Sequence, residues 1–178
     1  MRCCMTDHRR IYLKITAVLL LTLCLIIPFA SCGSAPDDFQ FFIEWGTNGA
    51  AAYYSDSGTL RKDTYAEDGN ADKFITELTL DKETLDHFYK LLNGIDLKSY
   101  PEEYDPGCGF SAPSWDLNIG YTANGKTYKV SCKNVCGNGR SSDEPKGQAF
   151  LDVFYEIKDY LVSTPEWKAL PDYERHLD

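Results

Sequence analysis

Histidine is scarce in this chain: His8, His87 and His176 lie far apart in the sequence. Zinc sites and activated nucleophiles usually need a histidine beside other ligands or beside a serine or cysteine, and this spacing offers neither. Paired cysteines of the zinc-ribbon type are missing as well. No Ser-x-x-Lys occurs, and "GFSAP" around Ser111 carries Pro113 where a nucleophile elbow needs its second glycine. The acidic stretch "DTYAEDGNAD" lacks the alternating ligands and closing glutamate of a calcium loop. Glu102, Glu103 and Asp105 read as a solvated acidic loop. We therefore expect no catalytic residue, no metal and no cofactor.

Basic residues are also in deficit. Lys and Arg number 18 against 27 Asp and Glu, a net charge of −9. Arg2, Arg9, Arg10 and Lys14 against Asp7 make the first segment net +3, so the rest of the chain stands at −12. Nucleic acid and anionic membrane faces repel such a body, so neither is an expected partner. No repeat of fixed period appears.

A long hydrophobic run is the next thing missing. The one candidate, Ile15 to Ala30, has 16 residues without charge. A membrane span needs about 20 apolar residues at helical rise, so an uncleaved anchor is the weaker reading. The basic stretch "RRIYLK" precedes the run and "FASC" closes it, with Ala30 and Ser31 directly before Cys32. A basic start, an apolar middle and small residues at the end make an export signal. This ending resembles the lipobox of bacterial lipoprotein precursors, with Phe29 where leucine is usual.

The resemblance covers about the first 33 residues and implies a sequence of events. The Cys32 thiol takes a diacylglycerol, the bond before it is cut, and acylated Cys32 becomes the first residue of an extracytoplasmic, lipid-anchored chain. Two acyl chains hold a protein stably where one would not. The implied organisation is a removed signal peptide over 1–31, a short tether over 32–38, and one domain over 39–178 with a C-terminal tail. Taking 1–31 from 178 leaves 147 residues, enough for a real core.

Within that domain, "FQFFIEW" puts Phe39, Phe41, Ile43 and Trp45 on one face of a strand. Asn48-Gly49 suits a tight turn, "AAYY" a return strand, "SDSG" a second turn and "TLRKD" a third strand. "TYAEDGNAD" reads as polar loop. "KFITELTL" alternates again, with Phe74, Thr76, Leu78 and Leu80 aligned. Asp81 is a candidate N-cap for a helix carrying Leu85, Phe88 and Leu92, which Asn93-Gly94 should stop. Asn124-Gly125 predicts a hairpin pairing Tyr121 with Tyr128, Ile119 with Val130 and Leu117 with Cys132. A second helix starts at Pro145 and aligns Ala149, Phe150, Val153, Phe154, Ile157, Tyr160 and Leu161. Thr164-Pro165 ends it and starts a short turn around Trp167. The fold class is α+β: an antiparallel sheet of hairpins packed on one face by two amphipathic helices.

Cys3, Cys4 and Cys24 leave with the signal peptide, and Cys108, Cys132 and Cys136 remain where disulfides persist. Cys136 lies past the open end of the hairpin, and the loop bearing Cys108 approaches it, which favours Cys108–Cys136 with Cys108–Cys132 as the rival. The stretch "KSYPEEYDPGCGFSAPS" is a 17-residue connection without periodicity, beside the loop "KNVCGNGRSSDE". Loops this long have a function or cover something. Tyr100, Tyr104, Phe110 and Arg140 make an interaction surface in the first case and part of a lid over the core edge in the second.

The functional expectation is a membrane-anchored lipoprotein acting as a small binding module, its partners the bilayer and a protein or envelope ligand. An envelope enzyme or enzyme inhibitor is the alternative. Replacing Cys32 with serine should leave the leader uncut and the chain unlipidated; mass spectrometry of the membrane fraction reads both.

Overall fold

Phe41, Ile43 and Trp45 are all buried on one side of the first strand, β1 (Gln40–Gly46). That alternation decides the architecture. The computed structural model describes residues 33–65, 71–108, 114–136 and 140–171. The signal segment, Cys32 and Phe110 lie outside these residues. Ser34–Asp178 makes one compact unit.

From β1 the chain turns through Gly46 to Ala50 into β2 (Ala51–Tyr54), then through Ser55 to Gly58 into β3 (Thr59–Tyr65), which pairs with β4 (Ala71–Glu77). These four strands are an antiparallel meander. On its other side β1 pairs with β5 (Ser114–Ala123), which pairs with β6 (Lys126–Cys136), giving the order β4-β3-β2-β1-β5-β6. The β5–β6 register is the predicted one: Tyr121 opposite Tyr128, Ile119 opposite Val130, Leu117 opposite Cys132. Asn124 and Gly125 both take positive φ, at 53° and 70°, which is what a two-residue turn matched to strand twist requires.

Two differences appear in the meander. Thr64, Tyr65, Ala71 and Asp72, expected in the polar loop, extend β3 and β4 because they keep the register in step. The aligned series Phe74, Thr76, Leu78, Leu80 outruns its strand. β4 stops at Glu77, and Leu78 and Leu80 reach the core from the connection that follows.

That connection leads into α1 (Lys82–Gly94). The Asp81 carboxylate accepts from the Thr84 amide at 2.8 Å, the predicted cap. Phe88 and Leu92 face the core. Asn93 and Gly94 do not stop the helix, which includes both. It ends at Ile95, and Asp96 makes the reversal with a left-handed φ of 53°.

α2 (Pro145–Ser163) lies over the same sheet face, with Pro145 in its first turn. It is buried more widely than a single stripe, since Leu151, Tyr155 and Lys158 are enclosed as well as Phe150, Phe154, Ile157 and Leu161. Tyr160, expected in the stripe, is 41% exposed. Its ring stands edge-on to Phe88 at 5.3 Å, closing the α1–α2 seam from outside. His87 is exposed on α1, with Nε2 2.8 Å from Glu156 Oε1. Thr164 caps α3 (Pro165–Ala169), the predicted short turn, and sets Trp167 against Trp45 at 5.3 Å.

The stretch expected as tether is also held. The Ala35 amide donates to Asp86 Oδ1 at 2.8 Å, and Phe39 donates to the Pro36 carbonyl at 2.9 Å. The Asp38 carboxylate accepts from the amides of Asn124 at 2.8 Å and Gly125 at 2.6 Å. Those two bonds hold Asp38 below the usual carboxylate range.

Phe154 has no exposure and touches Phe150 and Tyr155. Phe154→Ala should cost about 3–5 kcal/mol, the usual range for emptying a buried aromatic site. Denaturant titration by circular dichroism measures it; a loss near zero would contradict this packing.

Candidate functional site

Two regions carry polar side chains in ordered arrangements: the β6 edge with its covering loop, and the sheet face turned away from the helices.

At the β6 edge, the chain leaves the turn Leu97–Ser99 and runs back along the strand. The Ser131 amide donates to the Glu102 carbonyl at 2.7 Å, and the Tyr104 amide donates to the Ser131 carbonyl at 3.0 Å. Glu103 thus bridges Ser131 in parallel, and three residues shield part of an edge that would otherwise present open backbone. Tyr100 is 8% exposed and donates its hydroxyl to the Lys146 carbonyl at 3.0 Å. Its ring and that of Tyr104 meet at 5.0 Å, nearly perpendicular, and both lie against Phe150. The Tyr104 hydroxyl is buried and finds no hydrogen-bond partner among the described residues.

Of the two expected readings, these contacts are those of the lid. Tyr100 and Tyr104 pack on each other and on Phe150 and close the core edge. The two loops are neighbours as predicted, since Ser142 Oγ donates to the Pro106 carbonyl. Gly147 makes the approach possible: a Cβ there would lie 2.1 Å from the Pro106 oxygen. Arg140 is on the surface but engaged. It forks onto Asp159 at 2.5 and 3.0 Å and lies 4.6 Å over the Tyr155 ring. A cleft of about 290 Å³ beside this cover is lined by Leu97, Lys98, Tyr100, Glu102 and Lys129 among others.

Cys108 and Cys132 are both free thiols, so the structure holds no bridge at Cys108 to either expected partner. The side chain of Cys136 lies outside the described residues. Burial, and then the neighbouring Cys108 and Asp105, push the Cys132 thiol up to about 12. It is protonated at any physiological pH and behaves as a small apolar group.

The helix-free face is built in rows across the strands. One row joins all six: Ile75, Arg61, Ala52, Glu44, Asn118 and Ser131. Glu44 Oε1 accepts from the Tyr54 hydroxyl, and Oε2 accepts from Asn118 Nδ2 at 3.0 Å. Asn118 Oδ1 in turn accepts from Ser131 Oγ at 2.6 Å. Arg61 donates to the Gly49 carbonyl at 2.6 Å and stands 3.4 Å from Asp63. Ala52 lies in this row with no exposure, covered by its longer neighbours.

The adjacent row holds Tyr54, Phe42, Gly120 and Lys129. The Phe42 and Tyr54 rings stack at 6.4 Å and 21°. Gly120 leaves room for the first of them, because a Cβ there would lie 2.5 Å from the Phe42 ring. A cleft of about 150 Å³ opens beside the pair, with Gln40, Asp56, Thr122 and Thr127 at its rim.

The hairpin pattern marks Asp116, Asn118, Lys129 and Ser131 as the polar side of β5–β6. It misses Glu44, Tyr54, Phe42 and Arg61. The polar half of the β1 alternation was the available signal for Glu44 and Phe42. Among the described residues, no three His, Cys, Asp or Glu side chains converge as a metal site would require.

Burial pushes Tyr53 up to about 12. Burial, followed by its bond to Glu44, does the same for Tyr54. Their ordinary value is 10.0, and that of a cysteine thiol 9.0. The folded chain therefore keeps protons that the unfolded chain releases. The contribution of these three groups to stability is complete below pH 9.0 and is lost as pH rises towards about 12. Thermal melts across that window should show the decline, and Tyr53→Phe with Tyr54→Phe should flatten it. A pH-independent melting temperature in the parent chain would contradict the burial of these hydroxyls.

Compared with family models and with curated proteins, the chain matches none.

Proposed function

We propose that the chain is an exported lipoprotein, anchored through acylated Cys32, that binds a protein or another envelope ligand through the helix-free face of its sheet. The leader and "FASC" support the address. One observation supports the surface: across β2, β1, β5 and β6, this face carries a hydrogen-bonded polar network beside a stacked Phe42–Tyr54 pair, while the loop tyrosines are spent on the core.

A rigid face of this kind suits recognition. The Glu44–Asn118–Ser131 chain fixes side chains that would otherwise lose entropy on binding. Aromatic rings supply contact area at low conformational cost. Ile75, 63% exposed at the β4 end of the row, adds an apolar contact. The Cys132 thiol, held protonated, offers no nucleophile for the enzymatic alternative.

The test is a photoreactive side chain placed singly at Ile75, at Lys129 and, on exposed α2, at Glu156. Irradiation of intact cells should give discrete adducts at Ile75 and Lys129, resolved by mass spectrometry, and none at Glu156. Adducts at Glu156 alone, or none on the sheet face, would overturn this assignment.

A further inference from the structure

We infer that residues 35–39 dictate which end of the domain meets the bilayer: an acylated Cys32 keeps the first turn of α1 and the Asn124–Lys126 hairpin tip against lipid headgroups. The inference rests on the lipid anchor proposed above, and the occupant of this end is the headgroup layer itself.

The argument is one of reach. Ala35 is tied to Asp86, whose carboxylate is also held by Lys82 at 2.9 Å. Asp38 clasps both amides of the hairpin turn. Phe39 is buried, with its ring edge-on to Tyr89 at 5.2 Å. Only three residue steps separate Cys32 from Ala35, a covalent reach of about 10 Å at full extension. A domain of this length has a radius of gyration of about 15 Å. A lipid on Cys32 therefore cannot serve the far end of the sheet while these contacts hold.

Antiparallel topology says what lies where. β1 begins, β5 ends and β6 begins at the anchored end, as the pairs Gln40–Thr122 and Ala123–Lys126 fix. The end of β1 at Gly46, the start of β5 at Ser114 and the end of β6 at Cys136 lie opposite. Charge does not make the contact. Asp37, Asp38, Asp81, Glu83 and Asp86 outnumber Lys82, Lys90 and Lys126 at the anchored end, so anionic headgroups repel it. The short covalent reach holds this end in place.

The experiment uses the full chain, processed in cells and recovered into vesicles of phosphatidylcholine and phosphatidylglycerol. A photoreactive side chain replaces Lys90 or Lys126 at the near end, or Lys133 or Lys168 remote from it. Lipid adducts should form at the near pair about tenfold more than at the far pair, and Asp38→Ala combined with Asp86→Ala should shrink the ratio to about twofold with vesicle retention unchanged. If the chain does not sediment with vesicles and carries no lipid, the anchor fails and this inference with it. If the chain is lipidated and retained but all four positions label equally, the anchor stands and the fixed orientation is overturned.

Discussion

The pairing of β1 with β5 is the constraint on which the rest depends. It joins residues 40–46 to residues 116–122, across the meander and α1. Closing so long a loop is entropically costly before it yields any contact. The return comes from the buried side of β1. Phe41, Ile43 and Trp45 pair with Tyr121, Ile119 and Leu117 and build the apolar floor on which α1 and α2 lie. A slip of one residue would turn that whole set outward, so the register is strongly specified. The same pairing sets Glu44 beside Asn118. The core and the outer polar row are thus two consequences of one alignment.

Local chemistry made much of the fold legible. The β5–β6 hairpin was readable residue by residue, because Asn124-Gly125 fixes the turn and the turn fixes the pairing. Asp81 and Pro145 marked helix starts through the backbone donors that a first turn leaves open. What stayed illegible was non-local. Tyr100 and Tyr104 sit in a stretch without periodicity, and nothing near them in sequence announces that Phe150 packs against both rings. Linker composition at 33–38 gave no hint that Asp38 would find the turn amides 86 and 87 residues away. Glu44 had a readable face, but its partners Tyr54 and Asn118 come from two different strands. The candidate surface was therefore visible as polarity and invisible as a network.

The covering loop explains why the sequence left two readings open for its tyrosines. Tyrosine in an irregular segment reads as a binding residue, since loops carry function and tyrosine suits interfaces. The same residue suits a lid for the same reason, having an apolar ring and one polar tip. Tyr100 uses both, its ring on Phe150 and its hydroxyl on the Lys146 carbonyl. The β6 edge needed that cover. A strand with open backbone donors invites pairing with other chains, and the Ser131 bonds to Glu102 and Tyr104 occupy part of that edge. Gly147 lets the loop come close enough to do it.

Two requirements meet at the end of the domain where β1 begins, if Cys32 carries the proposed lipid. A lipid-anchored domain on a long flexible stalk samples all orientations, and each of its faces meets a partner part of the time. A docked segment removes that freedom and assigns the faces. Here the segment binds α1 through Asp86 and the hairpin through Asp38, one contact on each side of the β1 entry. The strands then run from the anchored end outward. The helix-free face extends along them, so under the proposed anchor its rows would lie at successive heights above the headgroups, with Gln40–Thr122–Thr127 lowest and the Glu44–Asn118 row beyond the Phe42–Gly120 row. A partner of the proposed kind, approaching from the aqueous side, would meet the polar row before the aromatic pair. In that arrangement hydrogen-bonding groups govern first contact and apolar area is buried afterwards, an order that favours selectivity over indiscriminate adhesion.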